Sequence, residues 1–309
     1  MAYKLGILFG DLNNPFWQEQ ELWYRKYLPD FPFEAEIYHL HRTLDAAEQA
    51  DLCSLLMRRS LDALIVNALD EDTLGRSAAN VRSRTLIVDA GPKISPAVAG
   101  SIDHYLPVKV CDYQEQGRLC VQELLKQKLS LHRFCCIGGS QRARQSSARV
   151  TGALAALAGL PRVEKRVLWS DFSREGGQQA MEQTLEWQPD AVFCANDLMA
   201  LGALDVLQAA GRKIPVGGVD MIPSAVFSVK NGGLTVTVGV DGGEVVSGLL
   251  HAVDSYLSSG TVISNCLARN QVVTQLSLLQ RRRQKRRFLW FRENSGLRRN
   301  AFCSGSRKA

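Results

Sequence analysis

The stretch of residues 189–223, PDAVFCANDLMALGALDVLQAAGRKIPVGGVDMIP, constrains the fold more than any other part of the chain. Residues 191–194 form a short apolar run with the length of a buried strand. A helical pattern follows over residues 198–210, and a second strand is predicted over residues 214–219. Two buried strands joined by a helix form a βαβ unit, which places both strands parallel in one sheet.

Polar residues stand where both of these strands end. Asn196 follows the first strand, and Asp220 follows the second. In open α/β sheets, ligands bind beside the carboxyl ends of the strands, so both residues are candidate ligand contacts. Asn is also a preferred helix N-cap, and Asp is a common turn residue. From this stretch alone, both interpretations stay open.

Strand and helix patterns alternate along the rest of the chain. We therefore expect an α/β protein with two parallel sheets, one before and one after about Asp103. The last helix, from about Asp241, and the last strand fit neither set in simple order, which is explained if the chain crosses back to complete the first sheet. The predicted strands are residues 5–9, 34–40, 63–66, 85–88, 98–102, 133–137, 163–169, 191–194, 214–219, 234–238 and 267–274.

The net charge of +6 belongs to one end of the chain. Residues 281–309 contain eleven Lys and Arg and one acid, whereas residues 1–280 contain 26 basic and 30 acidic residues. The folded part is therefore mildly acidic, and its charge does not favour a specific nucleic-acid partner. We predict that residues 276–309 are a basic, disordered tail able to contact acidic surfaces. Its aromatic run at 288–291 suits a membrane surface; the alternative is a loosely structured extension.

The eight cysteines contain no C-x-x-C pair, and several lie inside apolar strand patterns. We expect them to be free thiols that pack as small hydrophobic residues. So many free thiols favour a reducing compartment. The first four residues lead directly into the first predicted strand without a signal-peptide pattern, which also favours that location.

Sequence motifs of common enzyme classes are missing. The chain has no G-x-S-x-G, no H-E-x-x-H and no G-x-x-x-x-G-K-[ST]. Its five histidines form no recognisable ligand set, and no spacing pairs a nucleophile with a base. We therefore expect a protein that is not an enzyme and that uses neither a metal nor a cofactor.

Planar polar groups and aromatic rings gather at the predicted strand ends instead. Carboxylates and amides hydrogen-bond adjacent hydroxyls in pairs, and aromatic faces cover the C–H faces of a sugar ring. The mixture favours a polyhydroxylated ligand, although any single Phe or Trp is more often a core residue. The residues concerned are Asn13, Asn14, Phe16, Trp17, Asp89, Asp103, Asp171, Phe172, Asn196 and Asp220.

These residues lie in motifs that resemble a known family. The motifs, in family order and at family spacing, are LNNPFW (12–17), DALIV (62–66), VDA (88–90), SID (101–103), ARVTGALAAL (148–157), SDFSREGG (170–177), ANDLMALGAL (195–204) and VDMIP (219–223). The chain resembles the type I periplasmic sugar-binding proteins, especially the ribose-binding type, over residues 3–275. It is also similar to the effector domains of the lactose-repressor family, which share that fold.

The resemblance implies two lobes, each a parallel sheet flanked by helices, joined by three hinge crossings. The crossings are expected near residues 103–105, 238–241 and 267–270. The first lobe would then contain residues 1–103 and 241–268, and the second would contain residues 104–240 and 269–275. Such lobes close around a ligand by hinge motion.

In the first lobe, the resemblance implies four ligand contacts. Asn14 matches the hydrogen-bonding Asn of the family's first loop. Phe16 and Trp17 match its ring-stacking pair, with Trp17 where the ribose binders have Phe. Asp89 matches the carboxylate that binds two sugar hydroxyls.

In the second lobe, the resemblance implies four more contacts. Arg149 matches the arginine that donates to the sugar, and Phe172 matches the opposing aromatic ring. Asn196 and Asp220 match the amide and the carboxylate of this lobe.

Two positions depart from the family pattern. Ala90 stands where ribose binders carry an arginine, and Val240 stands where they carry a glutamine near the hinge. Both changes remove hydrogen bonds to the sugar. Trp17, Ala90 and Val240 therefore suit a bulkier, more apolar or differently hydroxylated ligand better than ribose.

The sequence thus predicts a solute-binding protein for a sugar or sugar-like molecule, with an ABC permease or a membrane sensor as partner. The family implies a periplasmic or envelope location, and the missing signal peptide favours the cytoplasm. The alternative function is a cytoplasmic effector-binding or sensory module. Because the first strand begins at about Leu5, we expect no helix-turn-helix headpiece of the lactose-repressor type.

Overall fold

The structure, a computed structural model, describes residues 2–11, 13–41, 44–79, 81, 83–127 and 130–280. Its strands are β1 (Tyr3–Phe9), β2 (Phe33–His39), β3 (Ala63–Val66), β4 (Leu86–Asp89), β5 (Tyr105–Pro107), β6 (Arg133–Gly138), β7 (Glu164–Trp169), β8 (Ala191–Cys194), β9 (Val216–Val219), β10 (Val236–Gly239) and β11 (Gln271–Val273). Its helices are α1 (Pro15–Tyr27), α2 (Ala46–Met57), α3 (Glu71–Ala79), α4 (Pro96–Ala99), α5 (Tyr113–Leu125), α6 (Arg144–Ala156), α7 (Arg174–Leu185), α8 (Asp197–Ala209), α9 (Pro223–Lys230) and α10 (Gly242–Ser259).

The strands form two sheets, which confirms the predicted two-lobed α/β fold. The first sheet has the order β2-β1-β3-β4-β5, and the second has the order β11-β10-β9-β8-β6-β7. All pairs of named strands are parallel except β10 with β11, which is antiparallel. Parallel strands need crossover helices, and the alternation of elements supplies them.

Helices cover both faces of the first sheet, as strand β3 shows. Ala63 and Ile65 belong to one core cluster, whereas Leu64 and Val66 belong to another. Successive side chains of a strand point to opposite faces, so each face carries its own apolar layer. This double burial explains why inner strands such as β1 and β3 are continuous apolar runs rather than alternating ones.

The chain passes between the sheets three times. It leaves the first sheet after β5, returns from β10 through α10, and reaches β11 beside β10 after α10. Helix α10 packs its apolar side chains, including Val246 and Leu250, in the core of the first lobe. Helix α10 therefore lies against the first sheet, and the last strand joins the second sheet.

One predicted strand is wrong. Residues 98–102 are not a strand, because Pro96 begins the short helix α4 with Ser95 before it. Proline suits the first position of a helix, where its missing N–H is not needed. The fifth strand is instead β5, which pairs with β4, so the first sheet continues beyond the predicted boundary at Asp103.

The last described residues also differ from the prediction. Residues 275–280 are helical, and Leu278 packs against the core of the second lobe. The remainder of the predicted tail, residues 281–309, lies outside the described residues. No helix in the described part is both long and apolar enough to cross a bilayer.

Helices α5 and α6 approach so closely that two glycines are required between them. A Cβ atom at Gly117 would lie 1.9 Å from the backbone oxygen of Arg149, and one at Gly152 would lie 1.8 Å from that of Gln114. Both contacts are with backbone, which cannot turn aside as a flexible side chain can. This packing fixes the position of Arg149 relative to α5.

We expect Gly152→Ala to lower the free energy of unfolding by at least about 2 kcal/mol, because the added methyl group separates two packed backbones. Gly159→Ala is the matched control, since a Cβ atom at Gly159 would meet no other atom within 4 Å. The control should change stability by less than about 0.5 kcal/mol. Urea denaturation followed by circular dichroism measures both, and equal effects would contradict the close-approach explanation.

Candidate functional site

A cavity of about 120 Å³ lies between the two lobes. Its walls combine residues of β1, α1 and α10 with residues of α6 and of the loops after β8 and β9. Most of the predicted contacts meet there. The predicted site residues among those that line it are Asn14, Phe16, Trp17, Arg149, Phe172, Asn196 and Asp220. Asn13, Asp103 and Asp171 do not line it.

Helix α1 forms the first-lobe wall. Asn14 is its N-cap, and the side-chain oxygen accepts a hydrogen bond from the backbone N–H of Phe16 at 3.0 Å. The rings of Phe16 and Trp17 meet edge to face with centroids 4.9 Å apart, and Trp17 also contacts Phe9. The cap and Pro15 therefore set where the helix begins and hold both rings at the cavity.

Two further α1 residues line the cavity and were not predicted. Gln20 is 5% exposed and Tyr24 is 3% exposed. Burial raises the pKa of the Tyr24 hydroxyl well above its usual value. Together with Trp17 they follow a helical spacing of three and four residues, so a helical projection of α1 would have found them.

Arg149 is the central polar group of the second lobe. Its Nη2 donates to Asp220 at 2.8 Å, its Nη1 to the backbone oxygen of Ala195 at 2.8 Å, and its Nε to Gln116 at 3.0 Å. The Asp220 backbone has a φ of 123°, a conformation rarely adopted outside glycine. Burial raises the pKa of Asp220, and the Arg149 guanidinium opposes that shift.

Asn196 works through its two side-chain atoms. Its Oδ1 accepts from the backbone N–H of Met199 at 3.0 Å, and its Nδ2 donates to the backbone oxygen of Phe172 at 2.8 Å. The cap interpretation of Asn196 is thus confirmed. Because Phe172 has a φ of 68°, the second bond also helps to hold a strained backbone that presents its ring to the cavity.

Asp89, a predicted ligand contact, is not among the residues that line the cavity. Its carboxylate accepts from Arg144 Nη2 at 3.0 and 3.1 Å, from the Tyr105 hydroxyl at 2.9 Å and from the backbone N–H of Gly91 at 3.0 Å. Arg144 reaches it from the second lobe, so no pattern local to Asp89 signals the contact. Ala90, the next residue, does line the cavity.

Asp197 is a buried residue that holds the Asp220 loop in place. It is fully buried and accepts from the Thr237 hydroxyl at 2.8 Å and from the backbone N–H of Ile222 at 3.0 Å. Burial, and then the neighbouring Asp220 carboxylate, raise the pKa of Asp197 to about 8. Its contacts tie the loop that carries Asp220 to strand β10.

The chemistry available in this cavity is recognition by hydrogen bonds and apolar contact. Cys111 lines the wall, but burial raises the pKa of its thiol to about 11, so it is a poor nucleophile at neutral pH. Burial likewise raises the pKa of Cys53 and Cys135 to about 12. Over the described ranges, no three His, Cys, Asp or Glu side chains are arranged to hold a metal ion.

Comparisons with known proteins agree with this architecture. The profile of a family described as "Periplasmic binding protein domain" matches residues 5–261. The ribose import binding protein RbsB of Bacillus subtilis is 25% identical over 241 residues, which are 76% of this chain and 75% of that protein. The HTH-type transcriptional regulator CelR of Thermobifida fusca is 39% identical over 103 residues, 32% of this chain and only 30% of the regulator.

A solved structure of similar fold is a periplasmic solute-binding protein of an ABC transporter from Actinobacillus succinogenes with bound D-allose. It superposes with a TM-score of 0.78 at 19% identity, covering 89% of this chain and 98% of that one. The two-lobed fold is therefore common to both proteins.

The raised pKa of Asp197 predicts a pH dependence of stability. The folded protein keeps a proton on this group up to about pH 8, whereas the unfolded chain releases it near pH 4. The stabilising contribution is thus full below about pH 4 and is lost as pH rises to about 8, with a slope of up to about 1.4 kcal/mol per pH unit. Asp197→Asn should remove this decline, as measured by urea denaturation at several pH values.

Asp205→Asn is a suitable control for that series. A hydrogen bond from Arg174 lowers the pKa of Asp205, so its contribution changes only at more acidic pH. If Asp197→Asn kept the decline between about pH 5 and pH 8, another group would have to cause it.

Proposed function

Because this chain belongs to the family of periplasmic binding protein domains, we propose that it captures a sugar or sugar-like small molecule between its lobes. The observation that carries the proposal is the cavity to which both lobes contribute rings and hydrogen-bonding groups. Phe16 and Trp17 come from the first lobe, and Phe172, Asn196 and Arg149 come from the second. Aromatic rings that cover the faces of a sugar ring, together with polar groups that surround its edge, suit an uncharged, hydroxylated ligand.

The residues of the cavity wall limit which sugars suit it as ligands. Ala90 and Val240 line the cavity without polar side-chain atoms, and Val245 and Leu249 of α10 add further apolar surface. A ligand with fewer hydroxyls than ribose, or with an apolar substituent, leaves fewer hydroxyls unpaired against this wall. RbsB is named as a ribose import binding protein, and the solved relative binds D-allose. Neither fact identifies the ligand of this chain.

The role that we propose is binding for uptake rather than catalysis. Closure of two lobes around a ligand creates a surface that an ABC permease can distinguish from the open form. The family supports a periplasmic or envelope location for such a role. No cofactor or metal enters the proposal.

A cytoplasmic effector-binding or sensory module is the second candidate. It is supported by the similarity to the regulator CelR and by the many buried free thiols. The two roles differ in location, so fractionation of cells that express the complete gene separates them. Recovery with periplasmic markers supports uptake, and recovery in the cytosol supports the second candidate.

Calorimetry against pentoses, hexoses, their deoxy analogues and polyols tests the proposed binding. With the sugar that binds most tightly, Trp17→Leu should weaken affinity by about tenfold, because the ring surface is lost while the side chain stays apolar. The intrinsic fluorescence of the native protein should also change on binding, since Trp17 lines the cavity.

Trp187→Phe is the matched control. Trp187 stacks with Arg166, and its backbone oxygen accepts from Arg133 at the start of β6, at the end of the sheet opposite the cavity. Its substitution should leave affinity unchanged. A panel in which no member binds the native protein would overturn the proposed function.

A further inference from the structure

The geometry points to Arg144 as a residue that sets both ligand choice and lobe closure. Arg144 is the first residue of α6 in the second lobe, and Asp89 ends β4 in the first lobe. We infer that the Arg144 guanidinium binds the Asp89 carboxylate at the acceptor sites that ligand hydroxyls would otherwise use. The same ion pair holds the two lobes together. The part concerning ligand choice rests on the proposed function, whereas the part concerning closure does not.

The contact between the lobes is a buried ion pair. The Arg144 side chain is 7% exposed and that of Asp89 is 1% exposed. Arg144 also donates to the backbone oxygens of Pro92 and, at 3.5 Å, Ala68, both in the first lobe. All of these partners belong to the opposite lobe, so opening of the cleft breaks every one of them.

Asp89 has little acceptor capacity left for a ligand. A carboxylate offers about four lone-pair sites. Arg144 takes both oxygens, and the Tyr105 hydroxyl and the Gly91 N–H each take one further site. A sugar could bind Asp89 through two hydroxyls only by displacing the guanidinium, which would leave a buried charge without its partner.

The backbone at Gly91 leaves room for the guanidinium. A Cβ atom there would lie 2.6 Å from Arg144 Nη2 and 3.1 Å from Asp89 Oδ1. The residue before it, Ala90, carries no charge. In this chain the cationic group near Asp89 therefore comes from the opposite lobe, which couples its position to closure.

A second arginine on the same segment gives a comparison. Arg142 also crosses the cleft and pairs with Asp72 and, at 3.5 Å, with Asp70. Its side chain is 65% exposed, so water screens the pair and the contribution to closure is small. Arg142 and Arg144 thus differ mainly in burial.

The first experiment is small-angle X-ray scattering on the ligand-free full chain. We expect the native protein to scatter as the closed form, and Arg144→Gln to lower the ratio of closed to open molecules by at least about tenfold. Arg142→Gln, the matched control, should lower it by less than about fivefold. A folded Arg144→Gln protein that stays closed, or a native protein that is already open, would overturn the closure part.

Gly91→Ala provides a second variant that keeps both charges. Its methyl group displaces the guanidinium, so it should open the ligand-free protein in the same direction as Arg144→Gln. Circular dichroism establishes that each variant is folded before scattering is compared. Opening by Arg144→Gln without opening by Gly91→Ala would overturn the assigned geometry.

The second experiment measures ligand choice by calorimetry. For each variant, the affinity for a sugar is divided by the affinity for each of its monodeoxy analogues. Because a change in lobe closure affects the sugar and its analogue equally, this ratio cancels it. Arg144→Gln frees Asp89, so this ratio should rise by about tenfold for at least one hydroxyl, whereas Arg142→Gln leaves it unchanged. Unchanged ratios in both variants would overturn the part concerning ligand choice. If no sugar binds any variant, the proposed function fails, and scattering alone decides the closure part.

Discussion

The guanidinium of Arg149 is the contact on which the second-lobe half of the cavity depends. It joins Gln116 on α5, the chain after β8 at Ala195, and Asp220 after β9. Its position follows from the backbone contact of α5 with α6, which only glycine at 117 and 152 permits. A feature of helix packing thereby determines where the hydrogen-bonding groups of the cleft lie.

Charge balance around this guanidinium explains the different protonation preferences of the two neighbouring acids, Asp197 and Asp220. Asp197 and Asp220 are both buried, and one arginine cannot neutralise two buried carboxylates. The structure resolves this because burial and the neighbouring Asp220 carboxylate favour the protonated form of Asp197 and outweigh the donors Thr237 and Ile222, while Asp220 keeps the ion pair. The second-lobe wall is then close to neutral, which suits an uncharged ligand.

The fold was largely predictable because its signals are local. Buried parallel strands are continuous apolar runs, and each of β1, β3, β6 and β8 could be found from that property alone. The prediction failed at residues 98–102, where an apolar run follows Pro96 and the helix-starting preference of proline prevails. It also missed β5, because three residues are too few to show a period.

The sequence by itself determined the alternation of strands and helices, the carboxyl-end location of the cleft and the identity of seven of its lining residues. These follow from periodicity and from motifs that each span a few residues. Tertiary structure alone decided what those side chains contact. Asp89 looked like a ligand group, yet Arg144, 55 residues away in sequence, takes its oxygens. Such a contact depends on how two lobes meet, and no local pattern carries that information.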